Sequence, residues 1–312
     1  MYDLKGKDNC IGFIASVDSL AQEDEYIIHL LRKAGCVFFV KTNVPQTLMH
    51  LETYNNGNVF RHHLCYLAHN NSVYGRTLNP YNRRLSPGGS SGGESALVGF
   101  RGSPIGLASD GGGSIRCPAA FMGLYGLKPT SGRIPLNEAK LAMPGYDSTP
   151  ASAGPVCRSL RDNELFIKVM LDAQPWLVQP GLVPIPWRPV ELTNVKIGVS
   201  FDDGICRPHP PIKRAIEYVS KRLSGISGIS VSEYVPYKHA EGYDLIRRLY
   251  YTDGGEMNKK QMATSGEPML PMSAWIMKSS HTKTATMEDL WAMNVQREKY
   301  RSERVPFRIL TL

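Results

Sequence analysis

The 312-residue sequence has no pair of cysteines at C-x-x-C spacing, no apolar run of membrane-spanning length and no internal repeat, and Gly113-Ser114-Ile115 is not a G-x-S-x-G nucleophile elbow. Each absence removes a class of protein. Cys10, Cys36, Cys65, Cys117, Cys157 and Cys206 are widely separated, which argues against a zinc ribbon or a disulfide framework and fits free thiols in a reducing compartment. A transmembrane helix would need about 18 consecutive apolar residues. The first residues, Met1 to Gly6, carry charge where a secretory signal would be apolar, so a cytoplasmic product with no membrane partner is expected. The eight histidines sit in no nucleophile motif, and a Ser-His-Asp triad is not legible.

Charge is unremarkable as well. The 36 basic and 28 acidic residues give +8, with Arg83-Arg84, Arg247-Arg248 and Lys259-Lys260 scattered among acidic neighbours. A focused basic face is missing, so no nucleic-acid partner is expected. With 42% hydrophobic and 21% charged residues, the composition is that of a folded globular protein.

The periodicities alternate between helix and strand. Ile27, Leu30, Leu31 and Ala34 recur at helical spacing between an Asp24 cap and a Gly35 stop, and Cys36–Val40 follows as a continuous apolar run with the signature of a buried strand. Pro104–Ser109 predicts a second buried strand, and Glu94–Phe100 and Ile115–Phe121 predict helices. Val195–Phe201, a helix through Ile212 and Leu223, and Ile229–Tyr234 form a β-α-β pattern, so the fold class is α/β. The proline-rich Val183–Pro189 is a candidate subdomain boundary near 183–189. His62, His63, Cys65 and His69 fit no zinc spacing, and no metal site is assigned to them.

What the sequence does have is glycine and serine in two dense runs, S-P-G-G-S-S-G-G-E-S from Ser86 and A-S-D-G-G-G-S-I-R-C-P from Ala108. Either alone reads equally well as a flexible loop. Together they place Ser90 and Ser114 where backbone N–H groups can converge on a small anionic group, the requirement of an oxyanion hole. Asp110 and Arg116 bracket the second serine. A serine hydroxyl needs a base, and without a histidine motif the remaining chemistry is a serine-to-serine relay ending on a neutral lysine.

From Gly88 to Ala119 the sequence resembles the amidase signature of the Ser-cisSer-Lys hydrolases, and from about Leu4 to about Tyr300 it resembles their fungal acetamidase-like branch. The resemblance implies an amidase-signature fold, a central mixed β-sheet covered by helices on both faces, incomplete in this chain. It implies that Ser114 is the acyl-accepting nucleophile and that Ser90, preceded by a cis peptide bond, relays its proton. Gly111, Gly112, Gly113 and Ser114 would supply the oxyanion hole, with Ser91 supporting the first loop and Asp110 and Arg116 serving as a buried ion pair or as hydrogen-bonding posts that shape the second. No cofactor is implied, and the partner is a small-molecule amide substrate, with a homodimer as a candidate assembly.

The same resemblance puts the family's lysine just ahead of Met1, marks residues 57–71 as an insert, and departs from the family after Arg301. Residues 1–312 are therefore expected to be one partial amidase domain, truncated at both ends relative to the family. The competing expectation is a non-catalytic remnant or binding protein of the same fold. A tRNA-dependent amidotransferase A subunit shares the signature but would require partner surfaces that the sequence does not display.

Overall fold

A computed structural model of the chain describes residues 1–51, 67–71, 74–136, 138–189, 193–280 and 284–309. They form two compact units, one of residues 1–187 and 255–279, the other of residues 188–254 and 280–312. The division after Trp187 falls inside the proline-rich stretch.

In the first unit, helix α1 (Tyr26–Lys33) buries Ile27, Ile28, Leu30 and Leu31 on one face, and Gly35, at φ 91°, ends it. Asp24 does not cap this helix. Glu25 holds the cap position, while Asp24 accepts the Lys5 N–H at 2.7 Å and pairs with Arg32 at 2.6 Å. Strands β1 (Leu67–Asn71) and β2 (Gly75–Thr77) form an antiparallel pair. Helix α2 (Gly92–Gly99) is buried along nearly its whole length, and β3 (Ile105–Asp110) runs from near its end back to the second glycine loop.

Helix α3 (Arg116–Met122), β4 (Tyr125–Gly126) and the fully buried β5 (Ser152–Cys157) follow. β5 pairs antiparallel with β3 on one side and β4 on the other, with Asp110 opposite Ser152. Helix α4 (Leu160–Asp172) starts at a Ser159 cap whose Oγ accepts the Asp162 N–H at 3.1 Å. Its Phe166, Ile167, Met170 and Leu171 join Ile27 and Leu31 in the main core.

The second unit contains the expected β-α-β motif. Strand β6 (Val195–Val199), helix α5 (Pro210–Ser224) and strand β7 (Ile229–Glu233) form a parallel pair in which Val195 faces Ile229. Helix α6 (His239–Tyr250) comes next in this unit. Helices α7 (Glu256–Ser265) and α8 (Pro271–Ser279) belong to the first unit, where Gln261 of α7 donates to Ser16 Oγ at 2.9 Å. Helix α9 (Met287–Ile309) returns to the second. The architecture is mixed α/β, its strands spread over three small sheets among the described residues. Among these residues no helix is long and apolar enough to cross a membrane.

One expectation needs correction. Cys36–Val40 is not a buried strand: it has no strand partner among the described residues, and Val37 and Phe39 are 81% and 63% exposed. An apolar run becomes a strand only when its N–H and C=O groups find a ladder, and here none is formed. At the start of the chain, Asp8 and Leu20 form an isolated antiparallel bridge, and Tyr2 and Leu4 are buried in the core. His62, His63 and Cys65, with most of the 57–71 insert, lie outside the described residues.

Candidate active site

The first glycine loop is shaped by lack of room. A Cβ on Gly93 would stand 2.5 Å from the Asn43 carbonyl oxygen and 2.7 Å from its nitrogen, so only glycine lets α2 begin this close to the 42–45 segment. The Gly89–Ser90 peptide bond is cis, as the resemblance implied. Ser91 then starts α2, its carbonyl accepting the Ser95 N–H at 3.0 Å.

The second loop is organised by charge. Strand β3 delivers Asp110 into full burial, where its carboxylate accepts the N–H groups of Gly113 (2.6 Å), Ile115 (3.1 Å) and Arg116 (3.3 Å). Arg116 closes the arrangement with two side-chain bonds of 2.9 Å, a bidentate grip, but the pair is not buried as a whole: the guanidinium side reaches solvent while the carboxylate is enclosed. Burial pushes the Asp110 carboxyl upward, but the Arg116 side chain and the Gly113 and Ile115 N–H groups together outweigh it and hold the group below the usual carboxylate range. Gly113 sits at φ 128°, a region that favours glycine.

The two loops meet through the Ser91 N–H, which donates to the Ser114 carbonyl at 3.2 Å, and the Ser91 hydroxyl donates to the Ser109 carbonyl at 3.3 Å. Ser90, Ser91 and Ser114 are all buried. The loops that carry serines 24 positions apart in sequence are thus in contact, and Ser91 is the tie between them. Of the four expected oxyanion donors, Gly113 has its N–H directed to Asp110.

A groove of about 420 Å³ in the same unit is bordered by Ser90 and Ser91, by Lys41 and Glu94, and by apolar side chains including Phe38 and Leu107. Ser114 is not on its wall. Lys41 donates to the Tyr2 carbonyl at 2.9 Å, and burial lowers its pKa against the opposing pull of Asp3, Asp8 and other acidic groups. Glu94 was missed in the sequence. It accepts from the Thr42 hydroxyl at 2.5 Å and from the Leu107 N–H at 3.2 Å, linking α2, β3 and the 42–45 segment, and burial raises its pKa. Its only sequence signal was an acid in the first turn of a helix, which also fits a simple dipole contact. Lys128, near Asp110 and Arg116, has a pKa lowered by burial. Among the described residues, no three His, Cys, Asp or Glu side chains gather as metal ligands.

The family model described as Amidase matches residues 1–308. The chain belongs to the amidase family. This amidase-family chain is 38% identical over 309 residues to an acetamidase of Aspergillus oryzae and 38% identical over 309 residues to an acetamidase of Emericella nidulans, in each case over 96% of its own length and 53% of the relative's. Among solved structures it is similar to fatty acid amide hydrolase, with a TM-score of 0.88 and 34% identity over 99% of the chain and 52% of that protein. The chain therefore spans about half the length of the curated relatives it matches.

Proposed function

We propose that this amidase-family chain carries the nucleophile half of an enzyme that hydrolyses a carboxamide C–N bond through an acyl-serine intermediate. The reading is supported above all by the hydrogen bond from the Ser91 N–H to the Ser114 carbonyl, which joins two serine loops that are far apart in sequence. In this reading the Ser114 hydroxyl attacks the amide carbonyl carbon while its proton passes to Ser90 and on to a neutral lysine. The negative oxygen of the tetrahedral intermediate is held by backbone N–H groups of Gly111, Gly112 and Ser114. Gly113 joins them only on releasing Asp110 and otherwise acts through shape. Collapse expels the amine or ammonia, protonated through the same relay. Water then attacks the acyl-serine, releasing the carboxylate and restoring the hydroxyl.

The lysine of this relay is the one that the resemblance sets ahead of Met1. Residues 1–312 by themselves then hydrolyse amides at least about 10³-fold more slowly than a chain that includes the lysine-bearing segment. Ammonia release from short aliphatic and aromatic carboxamides tests this, with the chain alone and preceded by a V-K-D-like segment. The extended chain is expected to turn over and to lose activity in Ser114→Ala and Ser90→Ala. A folded extended chain inert toward every amide would favour the binding-protein alternative.

A further inference from the structure

Residues 43–50 touch the first glycine loop at both ends and are anchored in the middle. At the ends, the Asn43 backbone leaves no room for a Cβ on Gly93, and a Cβ on Gly89, the residue directly before Ser90, would stand 2.8 Å from the His50 carbonyl oxygen. In the middle, Gln46 is fully buried: its Nε2 donates to Glu267 Oε1 and to the Pro268 carbonyl (3.1 Å), and its Oε1 accepts the Leu270 N–H at 3.0 Å. Glu267 is buried in the connection from α7 to α8, and its second oxygen accepts the Ile14 N–H at 2.7 Å. Between the anchor and His50, Thr47 and Leu48 hold φ at 69° and 61°. A β-branched and a bulky side chain adopt such left-handed angles only where their surroundings fix them.

A buried carboxylate more than 170 positions away in sequence therefore reaches the relay serine through one glutamine and one turn. We infer that Glu267 is a positioning residue for Ser90: through Gln46 it fixes the turn at Thr47 and Leu48, and with it the place where the His50 carbonyl stops Gly89. This rests on the relay from Ser114 to Ser90 proposed above. A carboxylate suits the post because it accepts from Ile14 and from Gln46 on separate oxygens. An amide there would turn its own N–H group on one of those donors and leave it without an acceptor in the interior. The strained turn would then relax, and a displacement of about 1 Å at a reacting group can slow a reaction about 10²-fold.

The test reads the rate at which an ethyl fluorophosphonate labels Ser114. Glu267→Gln is expected to slow labelling roughly tenfold or more in the wild-type chain but less than about twofold in Ser90→Ala, because a residue that acts through Ser90 has nothing to position once that hydroxyl is gone. Gln46→Met breaks the same bond from the other end; it is expected to behave alike, and it replaces Glu267→Gln should that chain not fold. Exchanging the pair, Gln46→Glu with Glu267→Gln, again faces a donor with an acceptor and is expected to recover much of the rate. Ile167→Ala, a packing loss in the main core, is expected to lower the urea midpoint and leave labelling unchanged. An equal slowing with and without the Ser90 hydroxyl, or no slowing, overturns this inference alone. Absence of Ser114 labelling in the wild-type chain overturns the nucleophile assignment and the inference with it.

Discussion

The two serine loops are built by opposite means. The loop that carries Ser90 is fixed by exclusion: at Gly93 the Asn43 backbone leaves no space for a single carbon. The loop that carries Ser114 has space, since a Cβ on Gly111 or Gly113 would meet neighbours at 3.5 Å or more, and is fixed instead by the Asp110 carboxylate and its five hydrogen bonds. A loop held by steric contact and a loop held by a charge hub should fail under different perturbations. The first loop is sensitive to volume and the second to charge and pH.

The largest effect is expected at the hub. Asp110→Ala leaves Arg116 and three N–H groups without their acceptor and should cost about 3–5 kcal/mol, the range for breaking a buried pair, measured by urea unfolding. Because the Arg116 side chain is 56% exposed, the loss should fall toward the lower end. Gly93→Ala follows, at about 1–3 kcal/mol from overpacking against backbone that cannot move aside. Gly113→Ala should cost about 1 kcal/mol or somewhat more, since its neighbours are at ordinary contact distance and only the positive φ opposes a side chain. Gly93→Ala stability equal to wild type would break the steric half of the comparison.

The pH response sharpens the contrast. Asp110 has its folded pKa below the unfolded value of 3.8, so the ionised carboxylate stabilises the fold fully above about pH 4. That contribution fades as the pH falls through the folded value. Asp110→Asn removes the titration, so the stability difference between wild type and Asp110→Asn should shrink on acidification from pH 6 to pH 3. Gly93→Ala should keep its difference from wild type over the same range. A wild-type-to-Asp110→Asn gap that stays constant with pH would contradict the hub.

Much of this was legible in the residues. Pro104–Ser109 and Ile115–Phe121 became β3 and α3, because a short apolar strand between punctuating glycines and a helix ended by Gly123 carry strong local signals. The β6-α5-β7 motif was equally plain. Cys36–Val40 was not, since the same apolar density that marked β3 lacks here a strand to pair with. Whether an apolar run is laddered depends on partners distant in sequence, which periodicity does not encode. Glu94 escaped for a related reason: its Thr42 partner stands 52 positions away, and an acid early in a helix is not distinctive on its own.

The assignment of Ser114 as nucleophile and Ser90 as relay is the centre of this account, and mass mapping of a fluorophosphonate adduct tests it most directly. The account predicts a single adduct on Ser114 that disappears in Ser114→Ala and forms more slowly in Ser90→Ala. An adduct on Ser90 or on another serine, or labelling that persists unchanged in Ser114→Ala, would contradict it.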